Sequence, residues 1–419
     1  MDYPHLATTD LPVLALIRAE EQRQKAGLEL IASENYTSPA VLEAMASVLQ
    51  NKYSEGYPGK RYYAGNAIVD QIENLAIERA QQLFGAQFVN VQALSGSPAN
   101  LAVYFALAQP GDTILGLKLD HGGHLSHGHP VNFTGQHYNF IQYGLDPTTG
   151  YLQMEQVRKL AQKHQPKIIV AGFSAYARNL DWGEFRKIAD EVGAYAFADI
   201  AHIAGLIAGQ AIPSPLAAGF DVVTTTTHKT LRGPRGALIF SRTAEIAQKI
   251  DRAVFPGLQG GPHEHIIAAI AVALGEALKP EFAQYAQQVI ANAKQLAAAL
   301  QKYHFQIISG GTDNHLIVVN LQNKLRADGR NWNGRDFTNA LEATGLSASM
   351  STIPEDPNPP FKPSGLRLGT PALTTRGMAE AEMSLLAELI NRVSLEEAPE
   401  QIKTEVQTLA HQFPVPGLP

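Results

Sequence analysis

Apolar positions along the chain change period several times, and each change marks an element. Continuous or β-branched apolar runs occur at Phe88–Leu94, Thr113–Leu117, Lys167–Gly172, Ala194–His202 and Asp221–Lys229. They are short, are bounded by Gly, Pro or Ser, and read as strands buried on both faces. Ile68, Ile72, Leu75, Ala76 and Leu83 recur at helical spacing with Gly85 as a C-cap, and Trp182–Glu191 reads as another helix. Strand alternating with helix predicts an α/β class with a mostly parallel sheet covered on both faces.

The pattern differs at the two ends. Asp10 can cap a helix that Gly27 ends, and Pro39 opens a second one. After about residue 280, Phe282, Val289, Ala293, Leu296, Leu300 and Tyr303 form one face of a long helix. A strand at Leu316–Asn320, a helix at Gly334–Gly345, a strand at Leu366–Gly369 and a helix near Ala379–Val393 follow. The proline-rich segment 353–363 cannot be regular. The expected organisation is an N-terminal arm over 1–27, a large α/β domain over 28–280 and a small α+β domain over 281–419.

Composition narrows the function classes. The 419 residues are 45% hydrophobic and 17% charged, which suits a globular protein with a large core. A net charge of −6 without a basic cluster gives no nucleic-acid footprint. The longest apolar stretch, Ile266–Leu274, is well short of the ~20 residues a membrane span needs. No leader pattern opens the chain, so a cytoplasmic location is the expectation. Zero cysteines exclude disulfides and thiolate chemistry.

Candidate chemistry gathers at the carboxyl ends of the predicted strands. Lys229 closes the run Val222-Val223-Thr224-Thr225-Thr226-Thr227-His228. A lysine desolvated there can condense with an aldehyde, as pyridoxal 5′-phosphate requires, although a solvated surface lysine fits the same letters. Asp199, at the end of its own apolar run, needs a cation or donor if buried, and a protonated pyridine nitrogen is one. Helix capping is the competing reading. Ser95-Gly96-Ser97, at a helix start, can expose backbone N–H groups to a phosphate or act as a plain N-cap. The glycines of 257–261 can likewise approach a phosphate or turn the chain. Ser174 and His202 also fall at strand ends, where ligands of such sheets bind. His121, His124, His127 and His129 invite a metal reading. Their glycine-rich loop carries no carboxylate pair, and imidazoles also stack on planar cofactors, so no metal is expected. The tyrosine-dense segment 53–65 carries Glu55, and Arg367 sits inside an apolar strand where an anion is its natural partner. A substrate carboxylate or a structural Asp or Glu can fill that role.

Five strings together resemble the serine hydroxymethyltransferase family. They are Leu30-Ile31-Ala32-Ser33-Glu34-Asn35, the segment 55–63, His121-Gly122-Gly123-His124-Leu125, the segment 224–236, and the segment 364–372. The resemblance runs from about Leu28 to the last helix. It implies a pyridoxal-phosphate-dependent transferase fold of the aspartate-aminotransferase type, with a mostly parallel seven-stranded sheet. It further implies transfer of the hydroxymethyl carbon of L-serine to tetrahydrofolate, giving glycine and 5,10-methylenetetrahydrofolate.

By that resemblance Lys229 forms the internal aldimine, Asp199 pairs with the pyridine nitrogen and His124 stacks on the ring. Ser174 and His202 lie near the phenolic oxygen, with Thr226 also among the catalytic positions. Ser95, Gly96, Ser97 and His228 cradle the phosphate, helped by Gly261 of a neighbouring subunit. Arg367, Ser33 and Tyr63 hold the amino-acid carboxylate. Tyr53 and Glu55 reach across a homodimer interface, and Leu119, Gly123, Leu125 and Tyr62 line the folate pocket. Glu55, a carboxyl group enclosed by tyrosines, is the candidate acid/base.

The chain departs from the family pattern at Leu94, Pro98, Ala64 and Ser351, the last at a pterin-contacting position usually held by asparagine. Rival expectations are a folate-independent aldolase, an aminotransferase, or a non-catalytic cofactor-binding protein.

Overall fold

The computed structural model describes residues 3–418, so the first two residues of the expected arm and the last of the expected small domain lie outside the described residues. Contacts group the chain into two compact units: residues 40–287, and the chain up to Pro39 together with the chain from Gln288 onward. The hydropathy pattern had suggested breaks after 27 and 280. The contacts instead tie the N-terminal segment to the C-terminal one.

The unit of residues 40–287 is built on a seven-stranded sheet. Its strands lie in the order Phe88–Asn90, Ala237–Ser241, Val222–Thr226, Tyr195–Asp199, Ile168–Gly172, Thr113–Leu117 and Asn139–Tyr143. Only Ala237–Ser241 runs antiparallel to its neighbours, so the mostly parallel α/β sheet expected from the sequence is present. The strands are apolar because both faces are covered. Ile114, Val170, Phe197, Val222 and Ile239 pack with Val103 and Tyr104 of helix Gly96–Leu107 and with Ile246 and Ile250 of helix Ala244–Arg252. Burying each such side chain stabilises the fold by about 1.5–3 kcal/mol.

The threonine run is tolerated there because every hydroxyl finds an acceptor. Thr224 Oγ1 donates to Asn100 Oδ1 (2.7 Å), Thr225 to Thr226 O (2.8 Å), Thr226 to Ala201 O (3.4 Å) and Thr227 to Pro234 O (2.6 Å).

Some elements were not foreseen. Strand Asn139–Tyr143 lies at the sheet edge, where Asn139 and Gln142 are exposed and dilute the apolar signal. Ala237–Ser241 follows directly on the glycine-rich turn after Lys229, which masked it. Between the strands ending near Asp199 and Lys229 the chain makes one helical turn, Ala204–Ala208. Residues Ala253–Leu258 form an irregular turn broken at Phe255, whose backbone is extended (φ −129°, ψ 127°). Ile266–Leu274 lies inside helix Glu264–Ala277, which packs on helix Ala67–Phe84. Among the described residues no helix is long and apolar enough to cross a membrane.

The other unit holds an antiparallel sheet in the order Gln306–Ile307, Leu316–Asn320, Gly365–Gly369, Ser349–Ser351. Its core joins Leu316–Asn320 residues to Phe337, Leu341, Leu386 and Ile390. The N-terminal helix, Leu11–Ala26, is capped by Asp10, whose Oδ1 accepts from Val13 N at 3.1 Å. Leu28–Glu29 pairs in parallel with Leu346–Ser347. Arg376 fastens the segment further, donating to Gly27 O, Ala410 O and Phe413 O at 2.6 Å each. The arm lacks a core of its own and borrows this one.

Candidate active site

Five of the six parallel strands, those leading to Ser95, Leu119, Ser174, Asp199 and Lys229, carry functional side chains at or beyond their carboxyl ends. Asp199 is the last residue of its strand, and Ser174, His202 and Lys229 follow the ends of theirs by two or three positions. Ser95 precedes helix Gly96–Leu107 in an extended conformation, and its side chain is not spent on capping. A Cβ at Gly96 would stand 2.7 Å from Thr226 Cγ2, so the first turn of that helix closes tightly on the strand leading to Lys229.

Asp199 is the electrostatic centre. Asn100 Nδ2 donates to its Oδ2 at 2.7 Å, His127 Nε2 lies 3.1 Å from the same oxygen, and Ala201 N donates to Oδ1 at 3.0 Å. Burial by itself would raise this carboxyl, but the His127 hydrogen bond and charge, then the charges of His124 and Lys229, hold it well below the usual carboxylate range. The lysine and the aspartate that the sequence paired are therefore within electrostatic reach of each other.

Among the supporting side chains, His124 and His127 were singled out in the sequence, whereas Asn100, Tyr104 and Ser126 were not. Asn100 accepts from Thr224 and donates to Ser126 Oγ (2.9 Å), Ser126 Oγ lies 2.7 Å from His124 Nδ1, and Tyr104 OH lies 2.6 Å from His127 Nδ1. The only sequence signal was the pairing of polar residues with an otherwise apolar helix and a histidine-rich loop.

The four histidines diverge. His121 is buried and accepts from Leu145 N (2.8 Å), while His129 accepts weakly from Val131 N. His124, His127 and Asp199 bring ligand atoms within 4.8 Å of one another, a geometry that would suit a cation. His127 Nε2 and Asp199 Oδ2 are spent on each other, however, which removes two of the three donors.

Gly122 takes a left-handed conformation (φ 99°), and a Cβ there would meet the Ala175 backbone at 2.8 Å. This close approach lets Ser174 N donate to Gly122 O at 2.7 Å and holds the Ser174 turn against the loop bearing Leu119, Gly123, His124 and Leu125. Thr230 Oγ1 donates to His202 O (3.1 Å) and accepts from Gly205 N (2.9 Å), pinning His202 beside the Lys229 turn.

The fit to pyridoxal phosphate rests on these atoms. His228 is pushed down to about 4, by burial first and then by Lys229 and Arg235, and its Nδ1 is buried with no hydrogen-bond partner. A neutral imidazole with an unmatched nitrogen beside an ammonium matches a phosphate cradle. Ser95 and the N-terminus of helix Gly96–Leu107 add further donors.

Tyr53, Glu55, Tyr62 and Tyr63 share the loop before helix Ala67–Phe84. Enclosure of Glu55 by its own chain is partial: Glu55 is half-buried beside Tyr53 and the Gly260 turn, while Tyr53, Tyr62 and Tyr63 are 56%, 73% and 48% exposed. Tyr53 packs edge-on against Tyr63, and Tyr62 against Phe255. Tyr53 also faces Gly261, where a Cβ would lie 3.3 Å from its ring.

Within the other unit, Arg367 Nε donates to Ser349 Oγ (3.2 Å), and burial pushes its guanidinium down to about 10. The segment carrying Ser33 runs alongside, because Gly369 N donates to Leu30 O (2.7 Å) and Gly369 has no room for a Cβ against Ala32. A polar cavity of about 470 Å³ in that unit, lined by Arg326, Arg330, Trp332, Asp336 and Lys362 among others, contains none of the predicted site residues.

The family model described as serine hydroxymethyltransferase matches residues 6–390. A serine hydroxymethyltransferase of Deinococcus deserti is 56% identical over 410 residues, covering 98% of each chain. One from Synechococcus sp. (strain JA-3-3Ab) is 56% identical over 391 residues, covering 92% of this chain and 90% of the relative. One from Legionella pneumophila (strain Lens) is 54% identical over 404 residues, covering 95% of each. With the sheet edge, the lysine and the aspartate arranged as described, this chain belongs to the serine hydroxymethyltransferase family.

Proposed function

We propose that the chain performs its family's reaction, moving the hydroxymethyl carbon of L-serine to tetrahydrofolate and releasing glycine, with the residue roles below. The observation that carries the reading is Asp199, held by Asn100 Nδ2, His127 Nε2 and Ala201 N at the end of the strand that pairs with the one leading to Lys229. Pyridoxal phosphate, when bound, supplies the electron sink for the pair left at the serine Cα as its side-chain carbon departs.

The chain's own residues supply the rest. Lys229 is the covalent anchor. Asp199, kept anionic by His127, holds a proton at the ring nitrogen. Ser95, Gly96, Ser97 and His228 bind the phosphate, His124 covers the ring face, and Ser174, His202 and Thr226 orient the rest of the ring. Arg367, with Ser33 and Tyr63, grips the substrate carboxylate, since a planar guanidinium matches it with two parallel hydrogen bonds. Glu55 takes and returns the proton at the serine hydroxyl oxygen. Leu119, Gly123, Leu125 and Tyr62 line the folate site.

A homodimer with shared sites is part of this proposal, with Tyr53, Glu55 and Gly261 serving the partner's site. The exposure of three tyrosines on one loop supports it, as aromatic surface of this kind is enriched at interfaces. The cytoplasmic location expected from composition is retained in the same reading.

Glycine release from serine by the purified protein, with and without tetrahydrofolate, tests it. Release that needs tetrahydrofolate and vanishes in Lys229→Ala is expected. Undiminished release without folate would reassign the chain to aldol cleavage. Light scattering at twice the chain mass is the expected assembly result.

A further inference from the structure

The segment around Glu55 is held by atoms that none of the assigned roles use. Gly56–Tyr57 and Lys60–Arg61 form a tight hairpin, with Gly56 opposite Arg61. Arg61 Nη1 donates to Ser54 O (2.8 Å) and to Gly56 O (2.9 Å), the carbonyls on either side of Glu55. Tyr62 N donates to Glu55 O itself at 3.0 Å. Three consecutive carbonyls are therefore fixed from one place.

The guanidinium is fixed in turn. Its Nε donates to Asp70 Oδ1 and its Nη2 to Glu73 Oε2, each at 2.8 Å, and the side chain is 4% exposed. A planar fork with five donors can serve two carbonyls and two carboxylates at once, whereas an ammonium has three donors and no fixed plane.

A second fastening comes from the far side of the sequence. Ser54 Oγ donates to Glu264 Oε1 at 2.5 Å, and both residues are buried. Glu264 opens helix Glu264–Ala277 three positions after Gly261. A Cβ at Gly260 would lie 3.4 Å from Glu55 Oε1, so this turn passes directly beside the Glu55 carboxylate. Gln92 Nε2 donates to Gly56 O and Glu73 Oε1, and Gln259 Nε2 donates to Gln92 O (2.8 Å).

We propose that Arg61, Ser54 and Glu264 form a clamp that fixes the Glu55 backbone against the Gly260–Gly261 turn, making them positioning residues for proton transfer at the serine hydroxyl. The proposal rests on the reading of Glu55 as acid/base given above. Carbonyl-by-carbonyl fixation matters because a displacement of about 1 Å in a proton-transfer group can cost about 100-fold in rate.

Arg61→Lys, Ser54→Ala and Glu264→Gln holoenzymes are compared with Glu55→Gln. Three readouts are taken: serine-to-tetrahydrofolate transfer, folate-independent cleavage of a β-hydroxy amino acid, and hydrogen exchange of residues 53–62 in cofactor-free protein. Arg61→Lys is expected to lower kcat for transfer about tenfold or more with serine KM and pyridoxal phosphate affinity nearly unchanged. Exchange over 53–62 rises, and folate-independent cleavage persists. Ser54→Ala, which removes one hydroxyl, follows with a fall of about threefold to tenfold and decides the matter if Arg61→Lys does not fold.

Parental kcat and exchange in Ser54→Ala and Arg61→Lys, beside a crippled Glu55→Gln, overturn the clamp alone. Joint loss of transfer, cleavage and cofactor binding in both also overturns it, by showing a structural role. A Glu55→Gln enzyme as active as its parent instead removes the acid/base reading on which the clamp stands.

Discussion

Two carboxyls in the same unit, the largely enclosed Asp199 and the buried Glu264, are driven in opposite directions. Both lose solvent, and for both burial is the largest influence and raises the carboxyl. At Asp199 the hydrogen bond and charge of His127, with the charges of His124 and Lys229, outweigh it. At Glu264 the Ser54 hydrogen bond and Arg61 are opposed by the like charges of Glu73 and Asp70, and the group is pushed up to about 7. The two carboxyls thus do different work. The one held by hydrogen bonds from Asn100, His127 and Ala201 serves as a fixed anion, and the one crowded by acids serves as a hydrogen-bonding post.

Removing the fixed anion should have the largest effect. Asp199→Asn is expected to lower turnover by about 100-fold to 1,000-fold, on the order of 3–4 kcal/mol of lost charge stabilisation. Steady-state kinetics at saturating serine and tetrahydrofolate measure it, and turnover within a few-fold of the parent would erase the contrast.

Weakening the supports rather than the anion should cost less. His127→Phe and Asn100→Ala each delete a hydrogen bond to a buried charge. About 1.5–3 kcal/mol, or tenfold to 100-fold in pyridoxal phosphate affinity, is expected from titration of the cofactor-free protein.

The two carboxyls should also bend stability in opposite directions with pH. Glu264 is raised above its unfolded value of 4.5, so its contribution is complete below that pH and is lost as pH rises through about 7. Wild type should therefore lose Tm relative to Glu264→Gln between pH 5 and pH 8, by about 2–4 °C per kcal/mol. Asp199 is lowered, so its contribution is present above the ordinary carboxylate range and fades only on acidification below it. Equal Tm differences at the two pH values would remove the opposition.

The smallest effect is expected where the pairing is exposed. Arg23 pulls Glu20 down to about 2 at the surface, yet both side chains are about half exposed, at 53% and 50%. Water screens that pair, and Arg23→Ala should cost under about 1 kcal/mol in chemical denaturation.

Much of this architecture was legible in the chain itself. Thr113–Leu117, Trp182–Val192 and Leu316–Asn320 carry unbroken apolar periods, and Gly85 and Asp10 signal helix ends by their backbone chemistry. Asp199 and Lys229 stood out because a charged residue closes an apolar run. The edge strand Asn139–Tyr143 was hidden by its polar face, and helix Glu264–Ala277 by glycines just before it. Asn100, Tyr104, Ser54 and Glu264, and the role of His127 as a partner of Asp199, were invisible for a different reason. Their partners lie between 23 and 210 positions away, and only folding brings an amide or hydroxyl to the carboxylate it serves.

Reduction of the cofactor-loaded protein with borohydride, followed by proteolysis and mass mapping, tests the central arrangement most directly. A phosphopyridoxyl mass is expected on the peptide containing Lys229, absent from Lys229→Ala. The same mass on another lysine, with serine turnover intact in Lys229→Ala, would contradict it.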